Sequence, residues 1–143
     1  GKRIEKAVLE DKYPGLKMTA NELETYIQNH GHIFFARNEW SEFLVNNSVA
    51  LSVGGRFHGN MMAFSNGIPA LWLVCDERIK EMVDAMKLPF IFYEKLDDIH
   101  EPEEFFGFLN YDSEFQNHYQ RMADNYIDFL NKNQVRHTFK IRR

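Results

Sequence analysis

At 143 residues, 44% of them hydrophobic, the chain is long enough for one domain with its own core and short for two. Its 17 Lys plus Arg stand against 21 Asp plus Glu, a formal net charge of -4, which removes the electrostatic basis for a general nucleic-acid binder. The lone cysteine, Cys75, cannot close an internal disulfide, so nothing asks for an oxidising compartment or a thiolate-rich zinc site, and a reducing cytoplasm is expected.

No apolar run approaches the roughly 20 residues of a membrane helix, and the opening Gly1-Lys2-Arg3-Ile4-Glu5 has no signal-peptide character. A soluble protein without a transmembrane segment is the expectation. The start on glycine instead of methionine fits an internal piece of something longer.

In chain order, Thr19 and Glu22 have capping-box spacing, and Leu23, Tyr26, Ile27 and His30 follow at helical spacing up to Gly31. Four runs rich in β-branched, aromatic and aliphatic residues read as strands, at 33–36, 49–53, 70–75 and 90–93. Their continuous apolar character predicts burial on both faces. Between them lie helical patterns at 40–47, 59–66 and 76–88, the last with Ile79, Met82, Val83 and Met86 on one side.

A short helix is expected around 103–109 after Pro102. A long one over 112–132 carries Phe115, Tyr119, Met122, Tyr126 and Phe129 in a 4,3,4,3 rhythm. That rhythm suits a coiled coil or, more simply, one amphipathic helix packed on its own domain. The end is basic through Arg136, Lys140, Arg142 and Arg143 and reads as a solvated tail or a strap onto a neighbour. Strands alternating with crossover helices predict an α/β fold. The expected form is a single domain over 1–143: a Rossmann-like parallel sheet of about four strands, helices on both faces, and a long C-terminal helix.

Val53-Gly54-Gly55-Arg56-Phe57-His58-Gly59-Asn60 leaves a predicted strand and enters a predicted helix. In parallel α/β sheets ligands gather at that place, outside the carboxyl ends of the strands. Gly54 and Gly55 suit unusual backbone angles and close approach, and the helix start offers unpaired N–H groups. Arg56 adds a planar fork matched to phosphate or carboxylate, and His58 an imidazole, the side chain that exchanges protons near neutral pH. The glycines fit neither the dinucleotide fingerprint nor the Walker pattern, and no serine sits in a nucleophile elbow. On spacing alone, a loop salt bridge for Arg56 and a core-capping role for His58 stay open.

Residues 48–89, SVALSVGGRFHGNMMAFSNGIPALWLVCDERIKEMVDAMKLP, resemble the C-terminal portion of the polysaccharide pyruvyl transferase family. The matching features are a strand ending in small residues, the R-x-H-G of Arg56, His58 and Gly59, and a small-residue helix running into the G-x-P of Gly67 to Pro69. An apolar strand follows, then an acidic-basic turn from Asp76 to Arg78 that opens a helix ending in L-P. Asn60 stands where a small or hydroxyl residue is more usual, and Glu77 and Ile79 depart from the pattern around Asp76, Arg78 and Glu81.

The resemblance implies the donor-binding half of a two-domain, glycosyltransferase B-like enzyme of exopolysaccharide biosynthesis. The N-terminal domain would be missing, and the isolated domain inactive. Family members move the enolpyruvyl unit of phosphoenolpyruvate onto a sugar of a surface or secreted glycan, here a glycan or lipid-linked acceptor, without a metal or organic cofactor. By position, Arg56 would hold the donor phosphate or carboxylate. His58 would protonate the enol or the leaving phosphate.

The expected binding set is Gly55, Arg56, His58, Gly59, Asn60, Asp76 and Arg78, with a second basic group to come from the absent half. A cytoplasmic location follows, with attachment at the inner face of the membrane compatible with it. Two other classes stand beside this one. One is a non-catalytic module that holds a nucleotide or phosphate; the other is a structural domain that docks a partner through its long C-terminal helix.

Elsewhere the residues favour structural roles. His30 and His32 lie two apart but lack a placed carboxylate. Cys75 closes an apolar strand and reads as packing, and Asp76 reads as a helix N-cap. The acidic run from Asp97 to Glu104 reads as a solvated loop and helix start, and Met61, Met62 and Phe64 as core.

Overall fold

The computed structural model describes residues 18–111 and 113–139. The basic end at Lys140, Arg142 and Arg143, the opening Gly1 to Glu5 and the predicted helix start at Asp112 lie outside the described residues. The chain divides into two compact units, Gly1–Arg37 and Asn38–Arg143.

The first unit holds helix α1, Ala20–His30, opened by the capping box: Thr19 accepts from the Glu22 N–H, and the Glu22 carboxylate accepts from the Thr19 N–H at 2.8 Å. The strand expected at 33–36 does not form. Ile33 is 81% and Phe35 95% exposed. A run of apolar residues becomes a strand only where an adjacent strand completes its hydrogen bonds, and none of the described strands pairs with this segment.

The second unit runs α2 (Arg37–Asn46, from its second residue onward), β1 (Ser52–Gly54), α3 (Phe57–Ser65), β2 (Ala70–Val74), α4 (Glu77–Met86) and β3 (Phe90–Phe92). Two 3₁₀ turns follow, Tyr93–Asp98 and Pro102–Phe108, and then α5 (Ser113–Lys132). The described strands form one parallel sheet in the order β1-β2-β3, with Val53 opposite Leu71 and Leu73 opposite Ile91. Among the described residues the fold is thus α/β with three parallel strands, where about four were expected.

Strands paired in chain order, with right-handed crossovers, put both crossover helices on the same face. Ala70, Trp72 and Val74, alternate residues of β2, share one buried cluster with Ile79 and Val83 of α4 and with Phe115 of α5. Phe57, Met61 and Phe64 of α3 pack against that cluster. The opposite face of β2 is covered as well, Leu71 being fully buried.

A second cluster joins Leu44 of α2 to Ala63 and Ile68, with Trp40 and Met62 against it. Met61 and Phe64 pack, half-buried, against the first cluster and Met62 against the second, at the margin of the core in which their spacing places them. Ser41 Oγ donates to Asn66 Oδ1 at 2.8 Å and fixes α2 to the end of α3. Tyr111 docks at the start of β2, its hydroxyl accepting from the Ala70 N–H at 3.0 Å and donating to the Ala70 carbonyl at 2.9 Å.

The stripe along α5 is only partly buried. Phe115 is covered, but Tyr126 and Phe129 are 54% and 58% exposed, and Ile127 and Leu130 are the buried residues of the C-terminal half. A 3.5-residue rhythm drifts against a 3.6-residue helix, so the covered face of a straight helix leaves the stripe along its length. Among the described residues, no helix is long and apolar enough to cross a membrane.

Candidate functional site

β1 and β2 run parallel, so their carboxyl ends and the starts of α3 and α4 lie at the same edge of the sheet. There an open pocket of about 650 Å³ is walled by Gly55, Arg56, His58, Cys75, Asp76 and Arg78, over a floor of Phe57, Ile79 and Met82. Two separate turns, 22 residues apart in sequence at Arg56 and Arg78, are therefore joined in one concavity.

Asn60 sets the first turn. It is the buried polar residue of the unit's interior at 3% exposure. Its Nδ2 donates to the Gly54 and Leu71 carbonyls, each at 2.9 Å, and its Oδ1 accepts from Ser52 Oγ at 2.8 Å. One amide thus bolts α3 to the ends of β1 and β2. A second tie comes from Trp72, fully buried in β2, whose indole Nε1 donates to the Phe57 carbonyl at 3.3 Å. With Phe57 held inward, its neighbours Arg56 and His58 emerge exposed on the pocket side. The His58 ring stands edge-on to Phe57, centroids 5.8 Å apart.

Arg56 occupies the N-cap position of α3 and gives it no side-chain cap, so the first N–H groups of the helix remain free for an external acceptor. α4 is closed differently: Asp76 Oδ1 accepts from the Ile79 N–H at 2.8 Å. Asp76 is therefore the N-cap its sequence position predicts, and it also lines the pocket.

Not every member of the expected set faces this space. Asn60 points inward and acts as a tether, with both amide hydrogens used. Gly59 faces Trp40, whose Cη2 would lie 3.8 Å from an added Cβ. Gly54 and Gly55 are corrected on one point, because neither has a positive φ and an added Cβ on either meets only ordinary contacts at 3.7–3.8 Å. The glycine that needs its freedom is Gly67, at φ 77° in the turn between α3 and β2.

Cys75 is exposed and on the pocket wall, one residue beyond the end of β2, where an apolar reading of the run 70–75 placed it in the packing. Ile79 and Met82 were read as helix core and also floor the site. The signal that finds Cys75 is position: the residue after a parallel strand faces the ligand edge.

The His30 ring lies tilted against Tyr26, with ring centroids 4.8 Å apart, and no three His, Cys, Asp or Glu side chains converge as metal ligands among the described residues. In the acidic run, Glu104 accepts from the Glu101 N–H at 2.8 Å and the His100 N–H at 3.1 Å. These bonds hold its carboxyl below the usual range and mark the run as a helix start. Compared with protein-family models, with curated proteins and with solved structures, the chain has no match in any of the three.

Proposed function

We propose that the chain is the donor-binding half of a polysaccharide pyruvyl transferase-like enzyme, and that its pocket takes phosphoenolpyruvate. The observation that carries the reading is the convergence of Arg56 and His58 on one concavity at the carboxyl ends of parallel strands, beside an uncapped helix start. A phosphate needs hydrogen-bond donors and a positive helix end, and this open pocket offers both. The R-x-H-G resemblance adds the family. A second α/β half of a glycosyltransferase B-like protein would supply the acceptor surface and seal the cleft from water.

The chemistry balances without a redox partner. A sugar hydroxyl oxygen adds to C2 of the enolpyruvyl group while His58, as general acid, delivers a proton to C3. The C2–O bond to phosphate then breaks, and Arg56 and the α3 amides take up the charge on the leaving group. A second sugar hydroxyl closes the ketal at C2, and of the two protons that the hydroxyls give up, one restores His58 and the other goes to the leaving phosphate. The products are a pyruvate ketal and inorganic phosphate.

Calorimetry tests the binding step: phosphoenolpyruvate binds the chain and Arg56→Ala abolishes the heat. Binding of nucleotides but not phosphoenolpyruvate would instead favour a non-catalytic phosphate-binding module. For the chemical step, the whole protein with a glycan acceptor loses phosphate release on His58→Ala. Unchanged release refutes the acid role.

A further inference from the structure

We infer that Arg78 holds a second anionic group of the ligand, so that this half of the protein alone selects molecules bearing a phosphate and a separate carboxylate. The inference rests on the reading of the pocket as a phosphoenolpyruvate site, and assigns to α4 the basic group that the resemblance leaves to a missing domain. Arg78 lies in the first turn of α4 and lines the same concavity as Arg56, from the neighbouring strand-to-helix turn.

Both guanidinium groups are exposed, and neither enters an ion pair or hydrogen bond among the described residues, whose ion pairs are Lys80–Asp84 and Lys95–Asp98. The one carboxylate on the pocket wall, Asp76, caps α4 through one oxygen, accepting from the Ile79 N–H, and pairs with neither arginine. Each arginine also sits at a helix N-terminus, the end where the peptide dipoles already disfavour a cation. Two unpaired cations at two positive helix ends, in a chain of net charge -4, are a local excess that a ligand with two negative groups neutralises. A phosphate on Arg56 and the open α3 end leaves a carboxylate for Arg78.

Cys75 makes the test direct, because it is the single cysteine and lies in the pocket. Alkylation by iodoacetamide, an uncharged reagent, is followed with increasing phosphoenolpyruvate or ethyl phosphate, which lacks the carboxylate. Phosphoenolpyruvate protects at about tenfold lower concentration than ethyl phosphate, a difference of about 1.4 kcal/mol. Arg78→Gln and Arg78→Met erase that advantage and leave ethyl phosphate protection unchanged, Arg78→Lys restores part of it, and Arg56→Gln weakens both ligands.

If both Arg78 variants keep the advantage, or weaken the two ligands equally, the inference is wrong, as it is if the unaltered chain shows no advantage. Circular dichroism of each variant confirms that folding is retained. Should 3-phosphoglycerate protect as well as phosphoenolpyruvate and lose that protection in Arg78→Gln, the two-anion site stands and the pyruvyl transfer reading falls. Phosphoenolpyruvate preferred over 3-phosphoglycerate, with Arg78 indifferent, gives the opposite result.

Discussion

Replacing Asn60 with alanine removes three hydrogen bonds at once, those to Ser52 Oγ and to the Gly54 and Leu71 carbonyls. At about 1 kcal/mol net for each bond, the loss is about 3 kcal/mol. Burial raises the cost, since the bond to Leu71 is in the interior and its carbonyl is left without this donor. For a domain of this size, that lowers the melting temperature by roughly 10 °C. The assay is urea unfolding followed by far-ultraviolet circular dichroism, in which the midpoint falls and the slope is retained.

Ser52→Ala alone removes one of the three bonds and costs about 1 kcal/mol, and the double variant is no less stable than Asn60→Ala, since the shared bond is lost only once. A loss below about 1 kcal/mol for Asn60→Ala, or full additivity of the two substitutions, refutes the tether. In Asn60→Ala the turn bearing Arg56 and His58 also loosens, so Cys75 protection by phosphoenolpyruvate weakens together with stability.

Lys87 closes α4 in the left-handed conformation at φ 55°, its N–H donating to the Val83 and Asp84 carbonyls; Lys87→Gly removes the Cβ strain and raises stability by about 0.5 kcal/mol in chemical denaturation, where a loss contradicts the reading. Tyr111→Phe deletes the two bonds to Ala70 and costs about 2 kcal/mol by the same measurement. Burial, offset in part by the bond to Ala70, raises the Tyr111 phenol above its ordinary 10.0. The folded state therefore keeps its proton after the unfolded chain has lost it. Stability is full below the ordinary value and falls as pH rises through the raised one, a slope absent in Tyr111→Phe.

At the other end of the scale, the Thr19 N–H and then its hydroxyl hold the Glu22 carboxyl below its ordinary 4.5. The capping contribution is present above the ordinary value and is lost as pH falls through the lowered one. Thr19→Ala deletes only the hydroxyl, so the Glu22 titration, read by nuclear magnetic resonance, moves part of the way toward the ordinary range while the retained N–H of residue 19 still holds it down, and a full return contradicts the backbone bond.

β2 was the clearest element to read, because its five consecutive apolar residues match a strand covered on both sides, four of the five being buried. The capping box of α1 and the N-cap of α4 were equally plain, since both depend on local hydrogen bonds that a few neighbouring residues specify. Residues 33–36 carry the same apolar signal as β2 and form no strand, because pairing is a property of two segments and only one was in view. The pocket was legible where its residues are adjacent in sequence, at Gly55, Arg56 and His58. Its junction with Asp76 and Arg78 follows from the strand order. Cys75 reads as packing because hydrophobic character continues one residue past the last pairing of β2, and composition does not mark where a ladder stops. For Asn60 the missing signal was depth: an amide one turn into a helix looks like a pocket ligand until the carbonyls around it are seen.

The bond from the Trp72 indole to the Phe57 carbonyl has an optical consequence. An excited indole is sensitive to whatever polar group its N–H meets, and here that group belongs to the first residue of α3, beside both Arg56 and His58. Occupation of the cleft by an anion that draws the α3 start outward therefore alters the emission of Trp72, and Trp40→Phe isolates that emission from the other tryptophan of the chain. The interior of the sheet thus carries a native fluorophore wired to the mouth of the cleft.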